Sequence, residues 1–334
     1  MQQEYCIFSA DAAYRQRALL SDSRFLDLTG LYGNIGTMNS ETREDTPPSR
    51  SVMGQGSVFA RKFPLLTRSV PILLWALGLE ALFVSVRHLV TGNAMGQDSH
   101  AYWLAAQGEL SYGASPGQRD AYLYSPAFAA VIRPLALLPW PLFCAAWFAI
   151  EAAALAWLVR PLRPRWAIPV YLLCLPELVV GNIYILLAAA AVVGMRRPAA
   201  WSFAVLTKVT TGVGLLWFAA RGEWKRLLQG VGATALIVVV SCAVDPTAWS
   251  DWIQFLLANR SGTPDSGVSF VVRCLVAVAL IVIAARKQWP CLVAPAMVLA
   301  SPVLVSVVPW TILIAIPRLL MDGSTHRERQ ELLA

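Results

Sequence analysis

Charged side chains are scarce in this sequence: Asp, Glu, Lys and Arg make up 14% of the 334 residues, against 57% hydrophobic ones. Soluble domains carry roughly 25% charged residues, so an ordinary water-soluble globule is excluded. Histidine is nearly missing as well. His88, His100 and His326 lie too far apart in sequence to suggest a metal site, and no dense carboxylate cluster replaces them, so neither a metal nor another cofactor is expected. The six cysteines (Cys6, Cys144, Cys174, Cys242, Cys274 and Cys291) contain no CxxC spacing. They read as small core residues rather than a disulfide or zinc framework. The net charge of +7 sits beside apolar runs, where basic residues report membrane topology; no nucleic-acid partner is implied.

What the chain has in abundance is apolar sequence in runs of about 15 to 20 residues, the mark of a polytopic all-α membrane protein. Residues 1–60 differ: they are polar, mixed in charge and broken at Pro47-Pro48. They offer no apolar core of the length a signal peptide needs. They read as a disordered cytoplasmic tail, or as residues ahead of a true start at Met53. Glycines 30, 33 and 36 stand near phosphate-loop spacing, but without a preceding strand or following helix the motif carries no mechanism. Residues 61–321 form the membrane domain, and residues 322–334 a cytoplasmic tail.

Basic clusters order that domain. Arg61, Lys62 and Arg68 place the start of a first span, 69–86, in the cytoplasm. Glu80 inside this span is a functional candidate by default, with a helix-to-helix hydrogen bond as the blander role. The clusters at 160–165, 196–197, 221–226, 286–287 and 318–329, placed on the same side, resolve the remainder. They give a span at 140–159, a hairpin 167–195 with its outer tip at Glu177 to Asn182, and a shorter hairpin 198–220 with Lys208 at its tip. A span at 227–243, an external loop 245–269, a returning span 270–285 and a last hairpin 290–320 broken at Ser301-Pro302 complete the order. Residues 122–139 carry Arg133 and three prolines, which suits a re-entrant or interfacial segment. About ten membrane helices result, several short. Short Gly/Pro-broken helices at membrane depth are tolerated where they line a cavity.

The longest polar interruption, 96–139, carries Asp98, His100, Tyr102, Arg119, Asp120, Tyr122 and Tyr124. The topology brings Asn182, Tyr184, Lys208 and Arg260 to the same outer side. A carboxylate can deprotonate an incoming hydroxyl, Lys and Arg can offset charge on a departing phosphate, and aromatic faces can stack on sugars. Solvated loop carboxylates with no chemistry remain the alternative from spacing alone.

The run Asp98-x-x-x-Tyr102, then Tyr122-x-Tyr124-x-Pro126, then Pro134 to Pro139, resembles the start of glycosyltransferase family 87. So do Gly181-Asn182-Ile183-Tyr184 and the passage 204–217 containing Lys208. The resemblance runs in order from about residue 70 to about 320. It implies a GT-C-type membrane fold and sugar transfer from a polyprenyl-phosphate donor, mannose in characterised members, to a lipid or glycan acceptor. The setting would be the outer face of a bacterial plasma membrane, with membrane lipids as the surrounding partners. It also implies Asp98 as general base, with Tyr102, Tyr122, Tyr124, Asn182 and Lys208 around the substrates; His100, Arg119 and Arg260 join them as candidates from the topology alone. One departure stands out. Val305, Val307 and Val308 occupy positions where the family commonly has a tryptophan and one or two histidines. A catalytically degenerate scaffold of a cell-envelope glycosylation complex therefore stays open, as does a flippase or transporter. A transporter would place ionisable groups at mid-membrane depth, whereas the pattern of this sequence concentrates them at outer tips.

Overall fold

The computed structural model describes residues 64–91, 95–110, 112–114, 118–259, 268–302 and 308–321. The expected tails 1–60 and 322–334, and the candidates Arg260, Val305 and Val307, lie outside them. The chain divides into two units at Trp75. The first contributes only the start of one helix to the described residues. The second, 76–334, carries the packed core and the candidate site.

Every regular element among the described residues is helical. Helix α1 spans Pro64–Thr91, α2 Gln97–Ala106, α3 Pro126–Ala136, α4 Trp140–Val159, α5 Pro164–Leu173, α6 Leu175–Val180 and α7 Tyr184–Arg196. A 3-10 turn, Pro198–Ala200, leads into α8, Trp201–Thr207, and a second, Val209–Leu215, into α9, Leu216–Ala220. Then come α10, Trp224–Val244, α11, Pro246–Ala258, α12, Phe270–Lys287, and α13, Val293–Leu299. A last 3-10 helix, Val308–Ala315, runs into a final helical segment, 316–321.

Proline sets many of the starts. A proline in the first turn lacks only an N–H that would have no intrahelical partner anyway, and Pro126, Pro164 and Pro246 each open a helix. Residues 122–139 thus hold a single 11-residue helix, Pro126–Ala136, too short to span. Asp245 caps α11, its carboxylate accepting from the backbone N–H of Ala248 (3.0 Å) and the hydroxyl of Thr247 (2.7 Å).

Among the described residues three helices are long and apolar enough to cross a membrane: 69–91 within α1, α4 and α10. Six further apolar helices are shorter. The faces of α10 show how such a helix meets its surroundings, with Leu236 and Val239 each 65% exposed. That is lipid-facing chemistry in a helix of this length. The core gathers instead around α7, whose Leu187, Ala188 and Ala191 are fully buried. Its alanines let α4, α8, α13 and the 308–315 helix approach closely, as small residues do between membrane helices. Glu80 is exposed on α1, so the helix-to-helix hydrogen bond expected of it finds no partner among the described residues.

Candidate active site

Asp98 stands in the first turn of α2 rather than in a loop. Two glycines put it there. Gly96 adopts φ +64 and donates its N–H to the carbonyl of Val179 at 2.7 Å, which bolts the start of α2 to the end of α6. Gly181 ends α6 with φ +73, its N–H returning to the carbonyls of Glu177 and Leu178. A side chain at 181 would strain this left-handed cap and bring a Cβ within 2.6 Å of the Ser99 hydroxyl. The tight turn delivers Asn182 to Asp98: its side-chain amide donates to the Asp98 carboxylate while its carbonyl accepts from the N–H of Ile183 at 2.8 Å. Trp147 of α4 braces the turn by donating to the Gly181 carbonyl at 3.0 Å.

Lys208 stands at the break between α8 and the following 3-10 turn, and its positive charge favours the ionised form of the same carboxylate. Its ammonium sits 3.9 Å from the centre of the Tyr184 ring and 5.7 Å from that of Tyr124. Such contacts are worth about 0.5–2 kcal/mol each. Tyr102 lies one helical turn after Asp98, and its hydroxyl meets that of Tyr124 at 3.0 Å. Burial is the largest influence on Asp98 and pushes its carboxyl above the usual aspartate range. Lys208 and the Asn182 amide pull the other way without cancelling it.

Asp98, Tyr102, Tyr124, Asn182 and Lys208 are therefore brought together. The other expected residues stand apart. His100 turns to the neighbouring face, pairing with Asp120 at 2.7 Å and packing against Trp103 and Trp140. Tyr122 is buried behind Tyr124 and donates its hydroxyl to the Ser125 carbonyl at 2.8 Å. Arg119 is exposed, and none of the contacts that join the cluster involves it.

Sequence reasoning misses three charged residues. Glu177, expected only as part of a hairpin tip, is buried and accepts from the N–H of Tyr184 at 3.1 Å. Glu151, in the middle of α4, is fully buried with neither carboxylate oxygen hydrogen-bonded among the described residues. Arg273 is buried in the first turn of α12. The expectation that ionisable groups concentrate at outer tips is thus corrected: one acid among about twenty apolar residues leaves the hydropathy of α4 unchanged and so leaves no trace in the pattern. An intramembrane acid of this kind is a signal in its own right.

A family model described as glycosyltransferase family 87 matches residues 122–321. The match takes in Tyr122, Tyr124, Asn182 and Lys208 and begins after Asp98. No curated protein and no solved structure matches the chain.

Proposed function

The chain belongs to glycosyltransferase family 87, and from that premise we propose that it transfers a sugar from a polyprenyl-phosphate donor to a lipid-linked or cell-wall glycan acceptor, with Asp98 as general base. The observation that carries this reading is one cluster that holds both charges: a half-buried carboxylate bonded by Asn182, and an ammonium held over the rings of Tyr184 and Tyr124. The two halves suit the two ends of the reaction. Asp98 takes the proton of the acceptor hydroxyl as its oxygen attacks C1 of the donor sugar. The bond from C1 to the phosphate oxygen breaks, and Lys208 offsets the charge that grows on the departing lipid phosphate. Tyr102, Tyr124 and Tyr184 are buried behind the pair, where they back the carboxylate and carry the ammonium. Mannose is the sugar favoured by the family resemblance, and the outer face of a bacterial plasma membrane the setting, with the protein crossing it several times.

Purified protein in liposomes, supplied with radiolabelled polyprenyl-phosphate-mannose and a membrane glycolipid extract, tests this directly. Label should move from donor to acceptor. A second reading, movement of a lipid-linked sugar across the membrane, is kept in view by Glu151, an acid buried in mid-span. Redistribution of donor between leaflets without transfer would favour it. Neither transfer nor movement would favour the scaffold, with Val308 and its neighbours the reason to look first.

A further inference from the structure

We propose that Arg273 is a positioning residue for Lys208, acting across three helices through Ser301 and Tyr184. An arginine in an apolar helix is costly unless partnered, and the partners of Arg273 are unusual. Its terminal nitrogens donate to the backbone carbonyls of Leu299 (3.3 Å), Ser301 (2.8 Å) and Pro302 (3.5 Å). These carbonyls lie at and just past the end of α13, where helix geometry supplies no intrahelical donor and leaves partial negative charge. A planar guanidinium fork reaches them from two separate nitrogens in a fixed geometry, which the single nitrogen of a lysine does not reproduce.

The chain held by this clamp includes Ser301, fully buried, whose hydroxyl lies 3.1 Å from that of Tyr184. Tyr184 opens α7, and its ring is the nearer of the two surfaces under the Lys208 ammonium. A tyrosine ring can turn about its own axis and swing at its first torsion; a hydrogen bond at the hydroxyl fixes the swing. Arg273 fixes the carbonyls, the carbonyls fix Ser301, Ser301 fixes the ring, and the ring presents the ammonium. Arg273 touches none of the reacting groups.

This inference rests on the proposed role of Lys208 at the donor phosphate, and its test separates the two. Binding of a short-chain polyprenyl phosphate to the purified full-length protein, together with donor and acceptor KM, would be measured for wild type, Arg273→Lys, Ser301→Ala, Arg273→Lys/Ser301→Ala and Lys208→Met. Each of the first two variants should weaken phosphate binding about 3- to 10-fold, the scale of one lost hydrogen bond. Acceptor KM should not move, and the double variant should be no worse than the poorer single one, because both cut the same chain of contacts. Lys208→Met should show the largest loss. If Lys208→Met weakens binding while Arg273→Lys and Ser301→Ala do not, or if their effects add, the positioning role is overturned and the clamp only holds the fold. If Lys208→Met leaves phosphate binding unchanged, the reading of Lys208 itself fails. Should Arg273→Lys not fold, Ser301→Ala removes a single hydroxyl and decides the matter through its binding and acceptor KM.

Discussion

At the scale of single residues, a base must be ionised before it can accept a proton, and burial works against ionised Asp98. Because its carboxyl titrates above the usual aspartate value of 3.8, kcat/KM should rise with pH across a window above that value and level off once Asp98 is ionised. Lys208 favours the charged form, so Lys208→Met should move this limb to higher pH as well as weakening donor use. A pH profile of transfer for both proteins checks the sign. Asp98→Asn keeps size and the contact to Asn182 while removing the base, and should lower transfer by about 100- to 10,000-fold. Stability should follow the opposite course. A carboxyl whose pKa is raised on folding contributes stability only at low pH, and that contribution is lost as pH rises through the folded value. At neutral pH the asparagine variant should therefore melt at the same temperature as wild type or higher. Asp98, Asn182 and Lys208 are legible in the sequence because each stands at a break in apolar residues. Glu151 and Arg273 are not, since a lone charge barely alters the average of an apolar run. The partners of Arg273 also lie 26 to 29 residues away.

Among the elements, the breaks matter more than the helices. The basic clusters and prolines mark off the arms 167–195, 198–220 and 290–320 because both act locally, and helices fill much of each. Helix α2 reads as loop in the sequence, for a physical reason. Its buried face is built on Ala101, Tyr102, Ala105 and Ala106, three of them too small to register as an apolar stripe. Its remaining face carries the polar groups of the site. The turn at Gly181 gives the sharpest test at this scale. Gly181→Ala places a side chain in a left-handed backbone, at a cost of roughly 1–2 kcal/mol, and crowds Ser99 beside the base. It should lower both the melting temperature in detergent and kcat/KM. Gly214→Ala should be at least as damaging to folding and owe nothing to the site, since a Cβ there would lie 2.0 Å from the buried Trp201 ring. Overpacking of this sort typically costs about 1–3 kcal/mol.

Across the whole molecule, the proposed topology puts Asp98, the Gly181 turn and the Lys208 break on one side of the membrane and the turn at Gly222 on the other. Single cysteines at Gly113, Asn259 and Gly222, all exposed, in a background without the six native ones, should separate under an impermeant thiol reagent applied to intact cells. The first two should label, and the third should label only after the membrane is opened. Labelling of Gly222 from outside would overturn the topology. The contact between Tyr184 and Ser301 also bears on the timing of synthesis. The two residues are 117 positions apart, and at a synthesis rate of about 5–20 residues per second the second follows the first by roughly 6 to 23 seconds. Through that interval the newborn chain holds its aspartate and its asparagine, and soon its lysine, with the tyrosine hydroxyl still awaiting its serine. Ribosome pausing or slow insertion between α7 and α13 would lengthen the wait, and a chain released in that window would carry most of a donor site with nothing to aim it.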